Sequence, residues 1–491
     1  MLLKSPGFSL VAILTLALGI GANSAIFSVI DTVLLKPLAF PHPNELAMLW
    51  STPGKGTGRE TLSFPDYQDF REQGKSFRSL AIYTGAGTVL STSGGPLELH
   101  GLASTAQLFD VLGVRPLLGR AWTEAEDDPA TQVVVLSYEA WQRYFGGDPK
   151  IIGRQIRLAL KPYTVIGVMP QSFRFPVNEK SEYLMPLHPL VGPMLKIRGA
   201  HFMRAIGRLQ SGVTVAQARA EIAEIGARME KTFPDTNTDR GATVVAFHQD
   251  LTGDVRPALF VVLAAVFFVL LIACANVANL LLARATARQR EIAIRTALGA
   301  SRFRIIRQLL AEGLLLALAG AAGGILLAWW SVDLLRNFGP QHVPRLNEVE
   351  INATVIGFTL FIASISTLLF ALIPALQVSR PNVNAALQEG SRGGAGPESH
   401  RVRGALVILQ VALSLLLLAG AGLLIKSFAN LRATDPGFDP MQVLTAEFIL
   451  PGGKYSNPAQ QRQFFARFLP QLAAVPGVKS SGGASPLPFS D

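Results

Sequence analysis

The chain has 491 residues, of which 49% are apolar and 16% charged, with a formal net charge of +10 and a mean hydropathy of +0.34. That is too apolar for an ordinary soluble protein of this length, and the surplus is gathered into stretches separated by segments of globular composition. The cations cluster beside the ends of those stretches, where membrane orientation and anionic lipid account for them; with no basic, aromatic-interleaved soluble module, the charge gives no ground for nucleic-acid binding.

The first apolar stretch covers 8–33, longer than the roughly 20 residues that cross a ~30 Å hydrocarbon core. Lys4 and the small residues Gly21, Ala22, Asn23, Ser24 and Ala25 also fit a signal peptide and its cleavage region. Against that reading, the apolar run continues through Ile26, Phe27, Val29 and Ile30, longer than a usual signal core. Residues 45–250 then predict an α+β domain. Strand composition marks VVVLS at 133–137, RQIRL at 154–158, YTVIGVM at 163–169 and TVVAF at 243–247. Thr214 with Gln217 forms a capping box ahead of a helix in which Val215, Ala218, Ile222, Ile225 and Met229 recur at helical spacing. Ser63 before Pro65 and Asp66 predicts another helix start. Glu124, Glu126, Asp127 and Asp128 read as a solvated turn rather than a catalytic pair.

Two further stretches, 258–282 and 305–330, are joined by a turn holding Arg284, Arg288, Arg290, Arg295, Arg302, Arg304 and Arg307 against one acid, Glu291. Central arginines would cost about 2.5–3.5 kcal/mol each inside a bilayer, so this is a helical hairpin with its basic turn in the cytoplasm. On a helix Arg288, Glu291 and Arg295 share one face, and Glu291 precedes Arg295 by the four residues that favour an ion pair. Ile294, Ala297 and Leu298 lie elsewhere on that helix, free to pack on a partner or on the span bases; Gly299 can end it and Ser301 can cap the next. Charge alone leaves two readings open, orientation with lipid binding or a docking helix. Asn276 and Asn279 read as amides turned toward a neighbouring helix, and Gly320, Gly323 and Gly324 as close-packing points. Trp329 and Trp330 mark an interface.

A fourth stretch, 354–376, is followed by a Gly-, Ser- and Pro-rich linker at 381–404 and a fifth stretch at 405–425. The order of the N-terminus then begins again over 430–491, where GFDPMQVLTAEF faintly echoes AFPHPNELAMLW at 39–50. The echo stops in mid-pattern, so the chain is either a fragment of a longer duplicated protein or carries a short appendage. Counting Lys and Arg in the short loops puts the basic turn and the linker inside, hence the N-terminus in the cytoplasm and the large domain outside. The fold class is therefore a membrane α-helical protein of five predicted transmembrane helices, with a large α+β domain inserted between the first and second.

No GxxxxGKS/T phosphate loop occurs; PGKGTGRE at 53–60 has the wrong spacing and lies in the outside domain. The seven histidines are scattered without HExxH or ligand-pair spacing. No catalytic and no metal site is predicted. The single cysteine, Cys274, falls in the second span and leaves the outside domain without a disulfide.

Four stretches carry a family resemblance: LLKSPGFSLVAILTLALGIGANSAIFSVIDTVLLKPLAFP at 2–41, GRLQSGVTVAQARAEI at 207–222, NVANLLLARATARQREIAIRTALGASRFRIIRQLLAEG at 276–313 and LPGGKYSNPAQQRQFF at 450–465. The sequence resembles the FtsX-like/MacB-type permeases of the ATP-binding cassette (ABC) class, in particular those that carry two such units in one chain. The resemblance implies a span over 8–33, a periplasmic core domain over 45–250, an FtsX-like permease domain over 258–376, and a second unit begun by the span at 405–425. It implies that 284–304 is a coupling segment, with Arg288, Glu291, Ile294, Arg295, Leu298 and Gly299 meeting a nucleotide-binding ATPase subunit. That subunit would hydrolyse the ATP, and this chain would bind no cofactor. Membrane lipid, a second permease copy and a periplasmic adaptor are the other implied partners, in a bacterial inner membrane. The implied activity is mechanotransmission for export. A regulator whose outside domain activates a partner such as a cell-wall hydrolase, or a non-functional fragment of a longer permease, is the alternative.

Overall fold

The computed structural model describes residues 6–54, 58–92, 94–177, 179–287, 301–339, 343–378, 397–434, 443–446, 450, 455 and 457–483. The chain forms two compact units, Met1–Lys36 with Leu251–Val443 and Pro37–Asp250 with Leu444–Asp491. It opens with α1 (Pro6–Ile30), which widens into a π-helical turn at Asp31–Leu35. Then come β1 (Leu46–Pro53), α2 (Phe64–Gln73), β2 (Phe77–Thr92), β3 (Gly95–Ser104), α3 (Gln107–Leu112), β4 (Leu118–Gly119), β5 (Val133–Leu136) and α4 (Tyr138–Phe145). Next are β6 (Gln155–Leu158), β7 (Lys161–Val168), β8 (Tyr183–Pro186), α5 (His188–Val191), β9 (Arg204–Leu209), α6 (Val215–Thr232), α7 (Pro234–Asn237), β10 (Arg240–Ala246) and α8 (Phe247–Thr252). The long apolar helices α9 (Arg256–Ala287), α10 (Arg302–Phe338), α11 (Ala353–Val378) and α12 (Pro397–Arg432) follow, and α13 (Pro458–Ala473) lies in the C-terminal segment.

Among the described residues five helices are long and apolar enough to cross a membrane, α1 and α9 to α12. A helix satisfies its backbone groups within the segment, which hydrocarbon demands. Each runs past the stretch that hydropathy marks: α10 continues to Phe338 and α12 starts at Pro397, because flanking helix formers prolong the helix beyond the apolar window. Their shared core joins Leu16 and Ile20 of α1, Leu270 and Val277 of α9, Leu316 of α10 and Phe370 of α11. The apolar window of α12 has no buried residue; it lies against α9.

In the other unit ten strands form one sheet, ordered β10-β1-β9-β2-β3-β8-β5-β7-β4, with β6 pairing β2 and β7. The β3–β8 and β5–β7 pairs are parallel, the rest antiparallel. Only four of these strands are visible as β-branched runs in the sequence, and β10 stops at Ala246, so Phe247 opens α8 rather than ending a strand. The missed strands lack alternation: β1 buries consecutive residues because it is paired on both sides, and the β2–β3 hairpin is interrupted by Gly85, Gly87 and Gly101. Gly101 is required there, since a Cβ would lie within the ring of Tyr183, whose hydroxyl donates to Ala86 O at 2.9 Å. The capping box of α6 forms, with Thr214 and Gln217 exchanging hydrogen bonds, and Ala218, Ile222, Ile225 and Met229 are its buried face. Ser63 caps α2 through Asp66 N.

Candidate functional site

The centre of the membrane unit is α1, whose faces meet three helices. Against α9, a Cβ at Gly19 would lie 3.1 Å from Leu270, and Asn23 Nδ2 donates to Val266 O and to Gly19 O, each at 2.8 Å. Against α10, the backbones themselves touch: a Cβ at Gly21 would meet Gly324 O at 2.9 Å, and one at Gly324 would meet Gly21 N at 3.0 Å. Gly320 sits opposite Leu16 and Gly323 opposite Ala17, so these glycines let α10 settle onto α1. Against α11, Ser24 and Thr359 share a hydrogen bond of 2.7 Å and Phe27 stacks on Phe358 with centroids 3.8 Å apart.

The end of this bundle where the chain leaves α1 for the α+β domain holds buried polar groups. Asn352 precedes α11 and caps it, accepting Val355 N–H on Oδ1 at 3.0 Å, while its Nδ2 donates to Asp31 Oδ2 at 2.8 Å. Asp31 is 7% exposed and lies in the π-helical turn. Arg345, in the left-handed region at φ 59° with its side chain 4% exposed, donates from Nη1 to Lys36 O at 2.7 Å and from Nε to Glu348 at 3.0 Å. Lys36 and Glu350 close an exposed ion pair at 3.3 Å. An acid placed inside an apolar run is the signal that points to Asp31 in the sequence.

Asn276 and Asn279 are half-buried on α9, and Asn279 Oδ1 has no hydrogen-bond partner among the described residues. Arg288, Glu291, Ile294, Arg295, Leu298 and Gly299 lie outside the described residues. Just beyond them, Ser301 takes the N-cap position of α10 with an extended backbone, and its carbonyl accepts Arg304 N–H at 3.0 Å. Its hydroxyl makes no capping bond, which corrects the expected side-chain cap. Trp329 and Trp330 are 66% and 63% exposed.

The outer unit holds a second polar cluster. Asp66, 3% exposed, accepts Arg198 Nη1 at 2.6 Å and Asn237 Nδ2 at 3.1 Å, and His201 Nε2 lies 3.0 Å from its other oxygen. Burial pushes this carboxyl up, but hydrogen bonds from His201, Asn237, Ser63 and Arg198 outweigh it, and its pKa lies below the ordinary value. Arg198 also reaches Asp69 at 2.7 Å and lies over the Phe233 ring at 3.7 Å. Three elements, α2, α7 and the segment before β9, are thus joined at one carboxylate. In the acidic turn, Arg120 grips Glu126 with two bonds of 2.7 Å and holds its carboxyl at about 2, while Glu124 pairs with Arg71 and Asp127 accepts His188 N–H. These acids are engaged in ion pairs and caps. Among the described residues no group of three or more His, Cys, Asp or Glu is placed to hold a metal ion.

Residues 9–225 match the family model of the MacB-like periplasmic core domain and residues 263–383 that of the FtsX-like permease C-terminal domain. Two relatives are macrolide export ATP-binding/permease proteins MacB. The one from Aggregatibacter actinomycetemcomitans is 29% identical over 47% of this chain and 35% of its own length. That from Neisseria gonorrhoeae is 27% identical over 69% of this chain and 51% of its own length. The chain thus spans about half or less of the curated relatives it matches. The periplasmic region of MacB from Actinobacillus actinomycetemcomitans is a similar solved structure, at 18% identity and a TM-score of 0.32, covering 44% of this chain and 94% of that region. With both domains matched in this order along a bundle of membrane-length helices, the chain belongs to the FtsX-like/MacB-type permeases of the ABC class.

Proposed function

We propose that this chain is a permease subunit that couples ATP hydrolysis by a separate nucleotide-binding subunit to movement of its periplasmic domain, in an export system of the bacterial inner membrane. The observation that carries this reading is the order of the two family matches around α1 and α9: the chain leaves the membrane unit after Lys36, forms the α+β domain, and returns at Leu251. This sequence holds no phosphate loop, and in this reading ATP is bound by residues outside it, on the nucleotide-binding subunit. The membrane unit is suited to moving as packed rods, since α1 and α10 meet through glycines with little polar lining between them. Macrolide export, for which the relatives are named, sets the class of amphipathic cargo to test first. The N-terminus and the basic segment 284–304 lie on the cytoplasmic side in this reading, and the ATPase docks on Arg288, Glu291, Ile294, Arg295, Leu298 and Gly299.

The test is co-purification with the nucleotide-binding subunit in mild detergent, with ATP turnover followed for wild type, Glu291→Arg, Arg295→Glu and the double variant. Each single change should lose the subunit and the double should partly regain it, since only the double restores opposite charges. A folded wild-type chain that neither retains the subunit nor alters its turnover would overturn the reading.

A further inference from the structure

The segment Pro37–Asp250 is joined to the membrane unit at its two ends, after Lys36 and before Leu251, and the surroundings of these two connections differ. At the first, α1 is fastened to α11 along one face at successive turns: Ser24 to Thr359, Phe27 on Phe358, Asp31 to Asn352. The chain then passes Arg345, which holds the carbonyl of Lys36 itself. At the second, Val255 and Leu259 pack on an apolar cluster of Val29, Val33, Val332, Leu346 and Val349, which the first connection shares, so the polar ties are what distinguish the first. Among the described residues the first turn of α9, from Arg256, carries no side-chain hydrogen bond to another helix; Arg256 lies over the ring of Phe260 in its own helix at 5.8 Å. Apolar contacts slide with little directional preference, whereas a buried carboxylate bonded to a capping amide has one geometry and is costly to leave unpaired. The π-helical turn places Asp31 at this point in register with the start of α11.

We infer that the Asp31–Asn352 bridge, continued by Arg345 on the Lys36 carbonyl, is the positioning device through which the membrane helices drive the outer domain at its first connection, with the α9 connection following passively. This rests on the permease reading above and adds to it which leg is driven. Asn352 suits a clean test because its two roles separate. Asn352→Asp keeps an oxygen for the α11 cap but sets a carboxylate against Asp31, so it breaks the bridge while sparing the helix. Asp31→Asn with Asn352→Asp exchanges the partners and restores an amide-to-carboxylate bond.

The full chain, with Cys274→Ala and spin labels at Lys150→Cys in the outer domain and Phe338→Cys at the end of α10, is reconstituted with the nucleotide-binding subunit that it retains in detergent. ATP turnover and the label distance are read with ATP and with ADP. The wild-type background should shift its distance with ATP; Asn352→Asp should lose at least half of that shift while turnover stays near wild type, and the exchanged pair should recover it. A full shift in Asn352→Asp overturns the inference, as does failure of the exchanged pair to recover a lost shift, which would mark the pair as packing alone. Stimulated turnover with no wild-type shift also sinks the driven-leg inference while leaving ATPase coupling intact. If the wild type neither shifts nor stimulates turnover, the permease reading fails and the clasp falls with it.

Discussion

Asp66 shows how one side chain can tie together segments far apart in sequence. Its carboxylate is buried, and an ionised group there is stable only because Arg198, His201 and Asn237 meet it. A carboxyl whose folded pKa is lowered adds stability above its ordinary value near ~3.9, and that stability is lost as pH falls through the folded value. Asp66→Asn should therefore cost roughly 1.5–3 kcal/mol at neutral pH, the range for hydrogen bonds to a charged group. Its deficit relative to wild type should shrink as the pH is lowered past about 4. Thermal midpoints of the full chain in detergent across pH 3 to 7 check this, and a deficit that stays constant with pH would count against it. The sequence carries the Ser63 cap of α2 but not this cluster, because Asp66, Arg198, His201 and Asn237 are spread over the whole domain and share no local spacing. Asp31 is not among the residues singled out from the sequence, although an acid within an apolar stretch is a local signal; its partner Asn352 carries none, since it stands alone ahead of the fourth span.

At the scale of elements, the contact between α1 and α10 depends on glycine where backbones touch. A leucine at Gly324 would drive its side chain into Gly21 N, Ala17 O and Ile20, which are mostly backbone and cannot move aside. Gly324→Leu should cost about 1–3 kcal/mol or more through overpacking. Gly357→Leu on α11, where nothing lies within 4 Å, should change stability by no more than about 0.5 kcal/mol. Thermal midpoints of the two variants in the same detergent separate these outcomes, and equal losses would refute the close-packed seam. The existence of these helices is plain in the sequence because hydrocarbon thickness sets a length that composition alone reveals. Small residues are visible there too, but not which helix each one meets. The sheet is hardest to read: β1 is buried along consecutive residues, and β8 and β9 are short runs in the middle of the sheet, so period-2 alternation is missing where pairing on both sides buries the strand.

Across the whole molecule, the arginines predict the orientation, because moving the basic turn through the bilayer would carry several guanidinium groups across at about 2.5–3.5 kcal/mol each. Because the single span α9 separates them, putting that turn inside also puts the α+β domain on the opposite face, as the proposed transmission of motion across the membrane requires. The single cysteine makes this testable: Cys274 is 4% exposed, and Cys274→Ala leaves a background without thiols. On that background, Lys150→Cys in the outer domain should react with a membrane-impermeant maleimide in cells whose outer membrane alone is permeabilised. Arg295→Cys in the basic turn should react only after the inner membrane is broken. The reverse pattern would place the basic segment away from cytosolic ATP, and ATP-driven movement of the outer domain would then have no cytoplasmic surface from which to start.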